Sequence, residues 1–256
     1  MTLITAIIQA RMSSTRLPNK VLKAILGQPM LQRQIERIKQ SKLINKIIVA
    51  TSTQTADDDI EQLCQTLNID CFRGSLTDVL ARYYQCTNKY PADHIVRLTA
   101  DCPLTEPKII DDVITLHLQT SSDYTSNCRW PCLPDGLDVE VFTLSALELS
   151  HQKAIKPSER EHVTQFMRNH EELFKLTDFH YKPDLSQLRW TVDEANDFEF
   201  VTQIYQYLYP QKKHFTMHDI LRLLKEKPEL NSINQNIIRD EGLLKSFIID
   251  KEQGFE

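Results

Sequence analysis

Between residues 11 and 20 the chain reads Arg-Met-Ser-Ser-Thr-Arg-Leu-Pro-Asn-Lys, three cations and three hydroxyls in ten residues. Arginine grips phosphate oxygens with a planar fork and lysine adds a point charge, so Arg11, Ser14, Arg16 and Lys20 form a phosphate-binding composition. Backbone N–H groups in such a loop can add an anion-binding nest. A solvated basic loop has the same composition. The phosphate reading is favoured because the segment directly follows an apolar run, where connecting loops carry function. Two aspartates hold comparable positions: Asp101 closes HIVRLTA ahead of Cys102-Pro103, and Asp193 closes LRWTV ahead of Glu194. A carboxylate at a strand end is a natural Mg²⁺ ligand facing phosphates. Each also fits a bland role, Asp101 as a turn cap and Asp193 as a helix N-cap. Together with the cationic loop they point to metal-assisted nucleotidyl or phosphoryl transfer.

Other candidates are weaker. Asp138 and Glu140 in LDVEVF lie two apart, hence on one face of a strand, where a polar solvent face is the simpler reading. His162 follows Arg160 and Glu161, and Ser158 with Glu161 makes a capping box opening a helix through Asn169. A surface histidine is the plainer account of His162. Six cysteines at 64, 71, 86, 102, 128 and 132 show irregular spacing and no C-x-x-C. They read as reduced thiols, and Cys128, Cys132 and His151 fall short of a zinc site.

The elements that must position these groups alternate in type. Apolar runs at 3–10, 45–51, 69–72 and 94–100 read as buried strands. Segments 29–42, 56–67, 77–89 and 106–119 carry helical spacing. This alternation predicts βαβ units on a mostly parallel sheet, with ligands outside the carboxyl ends of the strands. After residue 120 the rhythm changes: a turn-rich stretch (123–136), strands at 137–142 and 188–193, and helices at 194–209 and 216–226. The expectation is a single domain, 1–256, with a middle excursion at about 122–187.

Composition narrows the class. Only five glycines occur, and neither G-x-x-x-x-G-K-[ST] nor G-x-G-x-x-G is present, so phosphates would be held without a glycine-rich loop. A formal charge of −5 with interleaved signs argues against a nucleic-acid partner. The start lacks signal-peptide features and no apolar run approaches the ~18 residues of a membrane span, so a cytoplasmic location without membrane contact is expected.

The segment IIQARMSSTRLPNKVL resembles the opening of the cytidylyltransferases of acidic sugars, the acylneuraminate and 3-deoxy-manno-octulosonate enzymes. Their A-R-x-x-S-x-R-[LI]-P-x-K pattern fits Ala10, Arg11, Ser14, Arg16, Leu17, Pro18 and Lys20 without a gap. FRGSLTDVLARYY (72–84), VRLTADCPL (96–104), PDGLDVEVF (134–142), SEREHVT (158–164) and RWTVDE (189–194) are similar to the spore-coat polysaccharide biosynthesis branch. The likeness runs from residue 3 to about 246.

The resemblance implies a glycosyltransferase-A-like, Rossmann-like nucleotidyltransferase fold with a small dimerisation excursion. It implies that Ala10, Arg11, Ser14, Arg16 and Lys20 bind CTP, that Asp101 and Asp193 hold Mg²⁺, and that Arg73 and Ser75 lie near the nucleotide. Arg11, Arg16, Lys20 and Asp101 would act in the reaction. The acceptor, a small acidic sugar or related group for surface polysaccharide, would meet Arg129, Asp138, Glu140 and His162. No residue stands out as general base. Met12, Ser13 and Asn19 stand where relatives often have glycine, which stiffens the loop. Thr99-Ala100 replaces the Gln-Gly of octulosonate enzymes and argues against that sugar. Two rival readings remain, a glycosyltransferase on the same fold and a non-catalytic nucleotide binder. The missing D-x-D disfavours the first, and the presence of both aspartates disfavours the second.

Overall fold

The computed structural model describes residues 2–235, 239 and 241–255. The first half runs β1 (Ile4–Gln9), β2 (Ala24–Ile25), β3 (Gln28–Pro29), α1 (Met30–Ile38), β4 (Lys46–Ser52), α2 (Asp58–Thr66), β5 (Asp70–Gly74), α3 (Val79–Lys89), β6 (His94–Thr99) and α4 (Pro107–Thr120). The second runs β7 (Tyr124–Ser126), β8 (Glu140–Thr143), α5 (Leu144–Lys153), α6 (Pro157–Glu161), α7 (Gln165–Asn169), β9 (Leu176–Asp178), α8 (Ala195–Leu208), α9 (Met217–Glu226) and α10 (Glu241–Glu252).

Seven strands form one sheet in the order β5-β4-β1-β6-β8-β7-β9, and β2 pairs with β3 in a separate hairpin. β5, β4, β1 and β6 are mutually parallel. β8 runs antiparallel to β6 and β7, and β9 lies parallel to β7. From β1 the chain moves outward to β4 and β5, then returns to β6 on the opposite side. A topological switch point therefore falls between β1 and β6, where open α/β sheets bind ligands.

The apolar runs of β1, β4 and β6 are buried on both faces, as inner parallel strands require, whereas the run at 69–72, expected to be buried, lies on the edge strand β5 and is only half-buried. Ala6 and Ile8 of β1, Val49, Val96 and Leu98 face α1, α2, α4, α8 and α9, whose Ile35, Ile60, Ile110, Ile204 and Ile220 fill that layer. Ile7, Ile48, Ala50 and Ile95 face the other layer, where Leu80 and Tyr83 of α3, Leu147 of α5 and Met167 of α7 pack.

Several expectations change. Residues 188–193 are extended but contribute one isolated parallel bridge, Asp135 to Arg189, and no strand of the sheet. Their N–H groups instead serve the site: Trp190 donates to the Asp135 carbonyl and Val192 to the Asp101 carbonyl. Of the proposed 137–142 strand only 140–142 joins the sheet, as part of β8. The helix expected through Asn169 is broken, because Val163 takes φ 56° between α6 and α7. Its N-cap is Lys156, and Ser158 lies inside α6. Strands β7, β8 and β9, drawn from the middle excursion, extend the central sheet.

Gly136 is the glycine this packing requires. Its φ is 108°, and an added Cβ would lie 2.5 Å from the Thr191 nitrogen and 2.6 Å from the Trp190 carbonyl carbon. Both contacts are backbone and cannot swing aside. Gly136→Ala is expected to cost about 3 kcal/mol from overpacking and left-handed strain. Urea unfolding measures this, and an unchanged midpoint would show that the turn relaxes freely.

Candidate active site

The loop after β1 is held rigidly by a carboxylate that sequence reasoning missed. Asp57, 1% exposed, accepts from the Met12 N–H at 2.8 Å through one oxygen. Its other oxygen accepts from Thr51 Oγ1 at 3.0 Å, Ser52 N–H at 3.0 Å and Ser52 Oγ at 2.5 Å. Burial works against this charge, but the hydrogen bonds from Ser52, Met12 and Thr51 prevail and hold the carboxyl below its usual range. Buried Met12 and Leu17 anchor the same loop to the core. Asn19 turns it into a short 3-10 helix at φ 58°, a left-handed conformation that asparagine tolerates.

That turn delivers Lys20 to the switch point. Its Nζ donates to Val192 O at 2.8 Å, Asp193 Oδ1 at 3.0 Å and Asp101 Oδ2 at 3.2 Å. Burial opposes the ammonium charge, yet Asp101 and Asp193 outweigh it and keep the Lys20 pKa above the ordinary lysine value. Asp101 shows the reciprocal effect: burial pushes its carboxyl up, while Lys20, Thr99 and Cys102 draw it down to about 2. Arg16 reaches the same Asp193 oxygen at 3.1 Å.

Behind Asp193 stands Arg189, another residue the sequence reading passed over. Its guanidinium donates to Asp197 at 2.9 and 3.0 Å, Asp135 at 2.8 Å and Asp193 at 3.0 Å. Asp197 is fully buried and also accepts from the N–H groups of Asp193 and Glu194, capping α8. The second aspartate is thus fixed from two sides, by Lys20 in front and Arg189 behind.

A cleft of about 510 Å³ opens over these groups, lined by Ala10, Arg11, Ser14, Arg16, Lys20, Asp101, Asp138, Glu140, His162 and Asp193. Its volume suits a small-molecule ligand. Three expected residues lie elsewhere. Arg73 is consumed by Asp58 at 2.7 Å, Glu61 at 2.9 Å and the Ser52 and Gln54 carbonyls, tying β5 to the 52–61 segment. Ser75 caps the approach to α3, accepting from the Asp78 N–H at 3.0 Å. Arg129 pairs with Glu171 at 2.6 Å and Asp178 at 3.4 Å, away from the cleft wall.

Of the residues expected to meet an acceptor, Asp138 lies outside the β-strand that holds Glu140, though both line the cleft. Asp138 precedes β8 and accepts from Arg239 at 2.7 Å. Glu140 is buried, ion-paired with Arg97, and accepts from Tyr124 Oη at 2.6 Å and Thr164 Oγ1 at 2.5 Å. Burial raises its pKa, but Arg97, Arg168 and the two hydroxyls bring it below the usual carboxylate value. His162 shares a hydrogen bond of 2.8 Å with Ser246 of α10, and burial lowers its pKa, which keeps the ring neutral. Arg97 was legible as a cation inside an apolar strand; Arg168, Lys245 and α10, which also line the cleft, left no comparable signal.

For a divalent metal, two carboxylates converging on one ammonium are the donor set. No cluster of three or more His, Cys, Asp or Glu exists among the described residues. Mg²⁺ is commonly bound by one or two carboxylates with substrate phosphates and water, so Asp101 and Asp193 fit it in kind and number.

A mostly parallel sheet with a cationic loop at its carboxyl edge and two aspartates meeting that loop is the frame of an α/β nucleotidyltransferase. The cytidylyltransferase family model matches residues 5–233, and the chain belongs to that family. It is 32% identical over 234 residues to the spore coat polysaccharide biosynthesis protein SpsF of Bacillus subtilis, covering 88% of this chain and 95% of that protein. A cytidylyltransferase structure from Leptospira borgpetersenii superposes with a TM-score of 0.87 at 34% identity, over 93% of this chain and all of the other. A CMP:2-keto-3-deoxy-manno-octonic acid synthetase complexed with CTP shares the fold, with a TM-score of 0.62 at 19% identity over 81% of this chain and all of the other. No described helix is long and apolar enough to cross a membrane.

Proposed function

We propose that the chain transfers CMP from CTP to an acidic sugar, or a related hydroxyl or phosphate acceptor, in surface-polysaccharide biosynthesis. The observation that carries this is Lys20, held between Asp101 and Asp193 at the β1/β6 switch point. The octonic acid synthetase supports the substrate class by likeness, and SpsF the link to polysaccharide biosynthesis. The acceptor oxygen attacks the α-phosphorus, the bond to the β-phosphate oxygen breaks, and pyrophosphate leaves with the former bonding pair. The acceptor proton passes to solvent. Arg11, Arg16, Lys20 and the loop N–H groups hold the phosphates in line, so that positioning and preorganised charge supply most of the acceleration. Mg²⁺, held by Asp101 and Asp193, would neutralise phosphate charge. A homodimer in contact through residues 122–187 agrees with the exposure of Trp130 (64%) and Leu173 (40%) there.

The test is pyrophosphate release with Mg²⁺ and each of CTP, UTP, ATP and GTP against a panel of nonulosonic acids and sugar phosphates. Release with CTP and an acidic sugar is expected. Release only with another nucleotide would overturn the reading.

A further inference from the structure

Among the cations of the cleft wall that the proposed reaction does not use, Arg82 is set apart by its surroundings. Arg82, on the first turn of α3, is 2% exposed, yet its side chain lines the cleft beside Arg11. Its helix is placed so that apolar Val79, Tyr83 and Cys86 enter the core, and Arg82 shares that inward direction. One hydrogen bond is formed by the guanidinium, from Nη1 to the Ser75 carbonyl at 3.1 Å. Its Nε is buried without a partner. Among the described residues no carboxylate lies within ion-pair distance of it, in contrast to Arg16, Arg97 and Arg189 in the same region.

The fold nevertheless makes room for this side chain. At Gly74, the last residue of β5, an added Cβ would sit 2.9 Å from Arg82 Cγ and 3.3 Å from its Cβ. Burial, with the like charge of Arg11 adding to it, outweighs the attraction of Tyr83 and Asp57 and holds the Arg82 pKa below the ordinary arginine value. Arginine still carries its charge at neutral pH. A buried guanidinium with no carboxylate in contact is costly, and here it is also set beside a second cation, with Asp57 attracting it only from beyond ion-pair distance. A neutral nucleobase would leave both charges uncompensated. An oxyanion placed between them answers both, with fork geometry suited to phosphate or carboxylate.

We infer that Arg82 is an oxyanion-binding residue of the cleft, acting with Arg11, seated by Gly74, and gripping a phosphate of the nucleotide or the carboxylate of the acceptor. The inference rests on the proposed reading of the cleft as a nucleotide and acidic-sugar site. The two sources share one chemistry and separate by titration. Arg82→Gln and Gly74→Ala are compared with the wild type by calorimetry, using CTP, inorganic pyrophosphate, cytidine and N-acetylneuraminate as probes, with no turnover required.

A nucleotide phosphate as the bound group predicts that Arg82→Gln weakens CTP and pyrophosphate at least tenfold and leaves cytidine unchanged. An acceptor carboxylate predicts the loss on N-acetylneuraminate alone. In both cases the ligand-free thermal midpoint stays level or rises, since an uncompensated buried charge has been removed, and Gly74→Ala shows a partial loss on the same probe. Affinities for every anion within twofold of wild type would overturn the inference. So would a lowered ligand-free midpoint with unchanged affinity per folded molecule, or a wild-type protein that binds none of the anions. Anion binding that persists without any pyrophosphate release would leave Arg82 in place and remove the transferase reading instead.

Discussion

Asp101→Asn is expected to lower Mg²⁺-dependent pyrophosphate release by ~10²–10³-fold, the scale of losing one preorganised electrostatic contact to the developing charge. The amide keeps the shape of the carboxylate and removes its charge. Lys20 stays in place, because Val192 O at 2.8 Å and Asp193 Oδ1 at 3.0 Å still accept from it. The fold should therefore survive, which far-UV circular dichroism and a thermal midpoint can check. What changes is the charge of the cleft: Lys20 is no longer balanced by two carboxylates, and a divalent cation held as proposed would lose one of its two anionic ligands. A second readout does not depend on knowing the acceptor. CTP binding to the wild type should strengthen with Mg²⁺, and in Asp101→Asn that dependence should largely vanish. Near-normal release together with a retained Mg²⁺ dependence would remove Asp101 from the metal site.

The part of this site that was legible in the sequence is the part built from contiguous chain. The ten residues after β1 are a loop whose composition states its chemistry, and Asp101 follows an apolar run that the structure keeps as β6. Asp193 does line the cleft, but the reading that put it there was partly wrong. The run before it looked like a strand, but residues 188–193 add only one bridge, because their backbone bonds go to Asp135 and Asp101. Arg189 escaped notice since its role exists only when Asp135 is brought against the 189–197 stretch that carries Asp193 and Asp197, a junction of two distant segments. Arg73 was misplaced through likeness alone, as nothing local revealed that Asp58 and Glu61 would engage it. Arg82 offered a readable signal, a cation on the apolar face of a helix, and it was overlooked beside the stronger loop. Pattern periodicity also failed at Val163, where a left-handed β-branched residue breaks a helix that capping and spacing both favour.

Removing Arg189 should damage stability and activity together, for separable reasons. Its side chain is 8% exposed and serves Asp135, Asp193 and Asp197, whose side chains are 13%, 22% and 0% exposed. Burial opposes its charge, and hydrogen bonding and attraction from Asp197, with Asp135 and Asp193 adding to them, raise its pKa above the ordinary arginine value. Arg189→Met keeps most of the volume but leaves buried carboxylates without their cation, so a loss of about 3–5 kcal/mol is expected in urea unfolding. Asn234 Nδ2 still donates to Asp197 at 3.0 Å, which softens the loss without cancelling a charge. The effect on the reaction comes through Asp193, whose Oδ2 would lose its 3.0 Å contact and its fixed direction toward Lys20. Arg189→Lys separates the two effects. A lysine restores a positive charge but cannot span three carboxylates with one planar fork. Stability should return in part, while release measured well below the unfolding transition stays depressed about tenfold or more, the cost of misplacing a ligand-binding group. Full recovery of release in Arg189→Lys would show that only charge matters at this position, and that Lys20 and Arg16 suffice to orient Asp193.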